Sequence, residues 1–568
     1  MSSMRMTQWV GAIVALAAVG LWGMSGGPVA AQGAAALSGT VTSAEEPTME
    51  GVVVSARRAG ANFTVSVTSD AQGKYSFPRT HLAAGTYTVT MRAVGYDLAG
   101  PVTAEVKADA AATADLKLQK TKDLAAQLSS AEWMMSVTGT QEEKDRFTYQ
   151  IMSCNYCHTL GRVFRSKHTA ESLMPAMQRM VKYYADGTAK SNDNRRGRAA
   201  LIQEPGREKS LEQSPNWGAF PEVPRTEIAS FVAKNNLGAG RTAFPYELKT
   251  IPRPTGKSTR VIVTEYDMPT AGTVAHDMDI DSKGIVWYTD ESAQLLGKFD
   301  TKTATFTEIR MPAIPKGQME GTRDVIVDKN DKVWFPIRVP GNHAVMARYD
   351  PVRGKLEMVD GVGGQFVALG GDGFVWAGNT RIDPVTLQVT GKFSYQGSPA
   401  LPPGGPHSGY HTLVDSKGNP WVATYRGPGG VIGIDITTKE VTWINAPGLK
   451  ARRGRIDHRD DKFWFGEYLT DRIGMADLRA KTVKEWPVRK YSTPYAASIP
   501  DRNGRVYVPS NGAERMYRLD PKTGEILEYQ MPAEFDVKKL AVDPSTSSAV
   551  VWGANKRTAR IVKIEPLD

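Results

Sequence analysis

Between residues 38 and 120 apolar and polar positions alternate in short runs, among them Val52-Val53-Val54, Thr64-Val65-Ser66-Val67 and Thr86-Tyr87-Thr88-Val89-Thr90. Turn clusters such as Ser69-Asp70-Ala71-Gln72-Gly73 separate them. A period of two punctuated by turns predicts strands with one buried face, here a small β-sandwich. The alternation stops at residue 121, and the Lys, Asp, Ala, Gln and Glu of 121–141 predict a helical connector. In 142–240 the pattern turns helical, with helices predicted at Asp145 to Ser153, Glu171 to Tyr184 and Thr226 to Asn235 around a polar loop, Asn192 to Pro224. A Pro-rich linker, 241–256, leads into the last region.

That region, 257–568, repeats. An aromatic residue with an apolar flank recurs at Trp287, Trp334, Trp376, Trp421, Trp464, Tyr507 and Trp552, at spacings of 42 to 47 residues. Most copies follow a tight turn such as Asp281-Ser282-Lys283-Gly284 or Asp415-Ser416-Lys417-Gly418, and most precede a strand ending in Asp, as at Asp300, Asp350 and Asp520. One four-stranded sheet per period of this length is the signature of a propeller, and seven periods predict seven blades. The last period stops at its third strand, Arg560 to Ile564, and the run Arg260 to Tyr266 is placed to supply the missing outer strand and close the ring. The fold class read from the chain is mainly β: a seven-bladed β-propeller with an N-terminal β-sandwich and an intervening α-helical domain.

Arg5, a charge-free apolar run from Trp9 to Trp22 and the small residues ending Val29-Ala30-Ala31 read as a secretory signal, residues 1–31. The run is shorter than the ~20 residues of a spanning helix, so no membrane span is expected after cleavage, and the mature chain is expected to be periplasmic or secreted. The net charge of +10 is dispersed among acidic residues, which argues against a nucleic-acid partner.

An exported chain can use disulfides freely, yet only two cysteines occur, both in Cys154-Asn155-Tyr156-Cys157-His158. This is the C-x-x-C-H pattern of haem c attachment: two thiols form thioethers with the haem vinyl groups and the adjacent imidazole, His158, binds the iron. A thioredoxin-like redox pair would need a βαβ setting, and a zinc site would need further Cys or His nearby. For the sixth iron ligand Met180 is the choice among Met174, Met177 and Met180, which also lie at the helical spacing of core residues; His168 is the runner-up.

Counting back eleven residues from each propeller anchor gives His276, Arg323, Gln365, Tyr410, Arg453 and Ala496, with Lys538-Lys539 in the last blade. Counting forward three gives Asp290, Asn379, Glu467, Ser510 and Asn555. Side chains thrown at one axis from several blades converge, so His276, Asp290, Arg323, His411, Arg453 and Glu467 are the candidate ligand pocket, with Mg²⁺ as a candidate second cofactor.

Three resemblances add to this reading. The phrases Ser38-Gly39-Thr40-Val41, Ser69 to Phe77 and Gly85 to Tyr96 resemble the carboxypeptidase regulatory-like domain, which implies a spacer or adhesion role. Residues 142–240 resemble a cytochrome c domain, with a terminal helix placed to pack across the motif. The phrases Trp287-Tyr288-Thr289-Asp290 and Trp464-Phe465-Gly466-Glu467 resemble the virginiamycin B lyase (streptogramin lyase) propellers. That family implies a histidine on the inner strand of the last blade and Mg²⁺-binding glutamates, whereas this chain has Lys538-Lys539-Leu540-Ala541 and Asn555. The expected function is therefore electron transfer or haem-coupled oxidation, with a redox partner protein or small-molecule substrate. The alternatives are a carbon-oxygen lyase acting through His276 and Glu467, and a non-catalytic envelope-binding module.

Overall fold

The computed structural model describes residues 34–155, 158–185, 224–238, 240–270, 273–291, 295–311, 321–339, 343–359, 361–405 and 407–567. The segment read as a signal, together with Cys157, lies outside them. Among the described residues no helix is long and apolar enough to cross a membrane.

The C-terminal region is a ring of antiparallel sheets. Five consecutive four-stranded meanders cover Ala275–Arg310, Ile326–Val359, Val367–Lys392, Ser408–Asn445 and Ala451–Pro487, and are blades 1 to 5. Blade 6 has three regular strands, Val506–Ser510, Arg515–Leu519 and Ile526–Gln530. Its inner position is filled by the irregular run 494–498, which is held by a Pro494–Ser510 bridge and by Ser498 N–H donating to the Tyr507 carbonyl at 3.0 Å. Blade 7 combines Val537–Val542, Val551–Asn555 and Arg560–Pro566 with Val261–Asp267, paired from Val261↔Pro566 to Asp267↔Arg560. This is the closure expected from the sequence. The innermost strand of blade 7 lies against that of blade 1, so the ring is shut.

The recurrent turn and aromatic have a common physical basis. In blade 1 one oxygen of Asp281 accepts the backbone N–H groups of Lys283 and Ile285, and the other accepts the Trp287 indole N–H at 3.0 Å. Asp328 holds Trp334 at 2.8 Å and Asp415 holds Trp421 at 2.9 Å in the same way, and Asp501 takes the Tyr507 hydroxyl at 2.9 Å. Each carboxylate thus fixes a turn and satisfies a buried indole or phenol between blades.

The N-terminal unit is a β-sandwich. Ala35–Ser43 lies between Lys74–Pro78 and Leu116–Lys120 in one sheet, and Val53–Arg58 lies between Phe63–Thr68 and Gly85–Arg92 in the other. The second sheet does not end there. Phe63–Thr68 pairs with the outer strand of blade 7, from Tyr266↔Phe63 to Ile262↔Val67, making one eight-stranded sheet. The sandwich thereby covers the edge that ring closure leaves open.

Six helices are described between the two units: α1 (Leu124–Gln127), α2 (Ser130–Ser136), α3 (Gln141–Cys154), α4 (Gly161–Phe164), α5 (Ala170–Ala185) and α6 (Arg225–Asn235). A reciprocal capping box starts α2, because Ser129 caps Glu132 while the Glu132 carboxylate takes the Ser129 N–H at 2.7 Å. The other Glu132 oxygen accepts Ile251 N–H at 2.8 Å, which staples the linker to α2. Helix α6 packs across α3, with Phe147 and Phe231 stacked at 4.7 Å between ring centroids.

Candidate functional site

The inner strands throw charged side chains at the axis. Arg453 of blade 5 holds both oxygens of Asp277 of blade 1 at 2.5 and 2.6 Å, and reaches Asp324 of blade 2 at 3.1 Å. Lys539 of blade 7 donates to Asp324 at 2.9 Å, and His411 of blade 4 lies 3.6 Å from it. His276 sits between Asp277, at 3.1 Å, and Glu291, at 3.8 Å; Glu291 also approaches Arg323 at 3.4 Å and Lys556 at 3.5 Å. All of these groups are buried.

Burial sets the direction of most ionisations here, and the charges correct it. Burial alone would raise Asp277 and Asp324, but Arg453 beside the first, and Lys539 and Arg453 beside the second, bring both below the usual carboxylate range. Burial lowers His276 despite Asp277 and Glu291, and burial with Arg453 lowers His411 to about 3, so both imidazoles are neutral near pH 7. Burial also brings Lys538 down to about 8, although Asp536 opposes this at 2.6 Å. Burial would raise Tyr410, but the fields of Arg323, Arg452 and Arg453 and a hydrogen bond with Tyr495 bring it down to about 7.

Four of the six candidate pocket residues, His276, Arg323, His411 and Arg453, meet in this cluster. The forward count is corrected for the other two. Glu467 is not on the axis; it accepts from Thr470 at 2.6 Å and lies against Glu485, so that burial and this second carboxyl raise it to about 8. Asp290 accepts Val274 N–H at 3.2 Å and ties down the chain entering blade 1. A constellation of His276 with Glu467 is therefore not formed. The residues missed are Asp277, Asp324, Glu291, Arg452, Tyr495 and Lys556. Register shifts interrupt the inner strands at Ala275/Met278, Gly409/Thr412, Ala451/Gly454 and Val537/Leu540, and an extra residue in a strand changes which side chain faces the axis.

The motif-bearing helix docks at one mouth of this channel. Asn155, which follows Cys154, donates to the Asn511 carbonyl at 3.1 Å, and its own side-chain and backbone oxygens accept from Arg557. The Tyr468 hydroxyl donates to the Met152 carbonyl at 3.2 Å, and Ala131 N–H donates to the Gly512 carbonyl at 2.8 Å. Gly512 is required by the close approach, since a Cβ there would lie 2.0 Å from the Tyr491 carbonyl oxygen and 2.9 Å from the Met152 methyl. Gly512→Val is expected to undock the helices, with proteolytic cleavage between residues 121 and 160 accelerated roughly tenfold, the equivalent of about 1.4 kcal/mol of docking. Unchanged cleavage would contradict this contact.

Of the residues that would hold a haem, Cys154 and His158 are described. The His158 ring Nδ1 is 2.9 Å from the Thr159 carbonyl oxygen, an acceptor only, so Nδ1–H donates to it and Nε2 is the nitrogen an iron would take. Cys154 is half-buried at the end of α3, beside an apolar cluster that includes Phe147, Ile151, Leu160, Phe164, Met177 and Phe231. Met177 is buried in that cluster and Met174 packs at its edge. The side chain of Met180, like Cys157, lies outside the described residues, and His168 sits before α5 with its ring 3.2 Å from Ser172 Oγ.

The fold and site define a mainly β protein: a sandwich joined edge to edge to a propeller with a charged axis, and a helical segment over one mouth. Residues 36–119 match the family described as the carboxypeptidase regulatory-like domain. No curated protein sequence matches the chain. Solved structures with a similar fold include virginiamycin B lyase from Staphylococcus aureus, at 16% identity and a TM-score of 0.44, over 54% of this chain and 99% of that one. A streptogramin B lyase structure is similar at 16% identity and a TM-score of 0.45, over 55% and 99%. The extracellular domain of a hybrid two-component system from B. thetaiotaomicron is similar at 18% identity and a TM-score of 0.39, over 52% and 41%.

Proposed function

We propose that this chain is an exported c-type haem protein that transfers electrons, either to a partner protein or in the oxidation of a small molecule held by the propeller. The observation that carries the reading is the docking of Met152 to Asn155 onto Tyr468, Asn511 and Arg557, beside the channel mouth, together with the His158 tautomer. Cys154 and Cys157 would hold the group, with His158 and Met180 as iron ligands. Bound haem supplies one-electron redox chemistry. The chain's own contribution is positional. Gly512 admits α2 and α3 to blade 6, Arg557 fixes Asn155, and the Thr159 carbonyl orients His158.

A second reading is a lyase, and what favours it is a neutral His276 held between Asp277 and Glu291, an arrangement suited to a base. Against it stand the complete burial of His276 and the separate position of Glu467. One preparation of the exported protein tests both. Ascorbate is expected to reduce it, giving the sharp absorption of a ferrous low-spin haem, and a type B streptogramin with Mg²⁺ is expected to stay intact. Ring opening that disappears in His276→Ala, with no spectral change on reduction, would overturn the proposal and install the lyase.

A further inference from the structure

At the channel mouth beside the docked helix lies a second cluster, distinct from the ion pairs below it. The Arg452 guanidinium is surrounded by four tyrosine rings, with Tyr468 at 4.5 Å, Tyr410 at 4.7 Å, Tyr495 at 4.8 Å and Tyr425 at 5.3 Å from their centroids. Ring faces stabilise a cation but leave its in-plane N–H donors unanswered. Among the described residues no carboxylate is ion-paired with Arg452; one Nη donates to the Tyr425 hydroxyl at 3.5 Å, and the buried Nε makes no hydrogen bond. Arg453, one residue on, is clamped by two carboxylates. A half-buried guanidinium met by rings and one phenol, but by no carboxylate, is costly to hold unless something acidic completes it.

The neighbours point the same way. The Tyr410 and Tyr495 hydroxyls are 3.0 Å apart, Lys538 Nζ lies 4.1 Å from the Tyr495 ring centroid, and Arg323 stands over Phe366 at 5.7 Å. Gln365, Phe366, Tyr410 and Arg452 are half-buried, so this rim is reachable, whereas Tyr495 and Arg453 beneath it are buried. Around the axis Arg323, Arg452, Arg453, Lys538, Lys539 and Lys556 outnumber Asp277, Glu291, Asp324 and Asp536. This local positive excess also depresses Tyr410.

We propose that the channel mouth around Arg452, Tyr410 and Tyr495 is a binding site for a small aromatic carboxylate. The two oxygens match the planar fork of Arg452 and a phenol donor, and the Phe366 ring offers a wall for the aromatic body. A tetrahedral phosphate would use the charge but not the fork and the ring together. The site stands apart from haem attachment, because it is built wholly from propeller residues.

The test is calorimetric titration of the full-length exported chain with benzoate, benzamide and inorganic phosphate. At pH 6 benzoate is expected to bind about tenfold or more tightly than benzamide, and tighter than phosphate. Arg452→Gln should weaken benzoate by a similar factor, with Arg452→Lys intermediate. Between pH 6 and 8 affinity should fall, because the Tyr410 phenol that donates at low pH becomes an anion that repels the ligand. The groups facing Tyr410 are Arg323 from blade 2, Tyr425 and His411 from its own blade, Arg452 and Arg453 from blade 5 and Tyr495 from blade 6, and Tyr468 and Lys538 lie against the Tyr495 ring. Lys538 also loses charge near pH 8, so Tyr410→Phe, which keeps the fold's packing, separates the two by flattening the lower part of the profile. No benzoate binding, equal binding of benzamide, tighter binding of phosphate, or an unchanged affinity in both Arg452→Gln and Tyr410→Phe would overturn the proposal.

Discussion

Arg453→Met is expected to destabilise the propeller by about 3–5 kcal/mol, measured as a shift of the denaturant midpoint at constant slope. The loss is this large because Arg453 is one cation serving two buried carboxylates. It contacts Asp277 at 2.5 Å and Asp324 at 3.1 Å, and both are fully buried. Asp324 keeps Lys539 at 2.9 Å, but Asp277 is left with only a neutral imidazole, His276. The pH dependence gives the sign. In the intact protein both carboxylates are depressed, so their contribution is present above the ordinary carboxylate range and is lost as pH falls through their lowered values. In the variant burial is no longer opposed at Asp277, whose pKa rises, and a proton can be taken up on folding. The difference between the two proteins should therefore be greatest at neutral pH and shrink toward pH 4. Added salt should change it little, since these charges are screened from solvent ions.

The blades were legible because one chemical device repeats along the chain: an Asp that closes a turn and takes the N–H of a Trp six residues later. The closing strand was legible because the last repeat lacked an outer strand and Arg260 to Tyr266 had the right alternation and ending. The axis was only partly legible. A fixed offset from the anchor finds His276, Arg323 and Arg453, but bulges in four inner strands rotate neighbouring residues inward, bringing in Asp277 and Arg452. In blade 6 the irregular run 494–498 presents Tyr495 where the count pointed to Ala496. Glu467 illustrates the opposite error, for its register position is right while Thr470 and Glu485 draw its side chain into the blade. The fusion of the sandwich to blade 7 and the seating of Asn155 on Arg557 join residues hundreds of positions apart, which no local pattern encodes.

If the chain is the haem protein proposed, replacing Cys154 and Cys157 together by Ala is expected to abolish covalent haem completely, because both thioethers are lost. His158 and Met180 would then hold the group by coordination only, which denaturant abolishes. The direct measurement is a peroxidase-stained denaturing gel, with the pyridine haemochrome spectrum, of the chain exported from a host with a working haem-attachment system. Haem is expected to stay with the denatured wild-type chain and to be absent from Cys154→Ala/Cys157→Ala; a wild-type chain that is folded, exported and without covalent haem would contradict the proposed function.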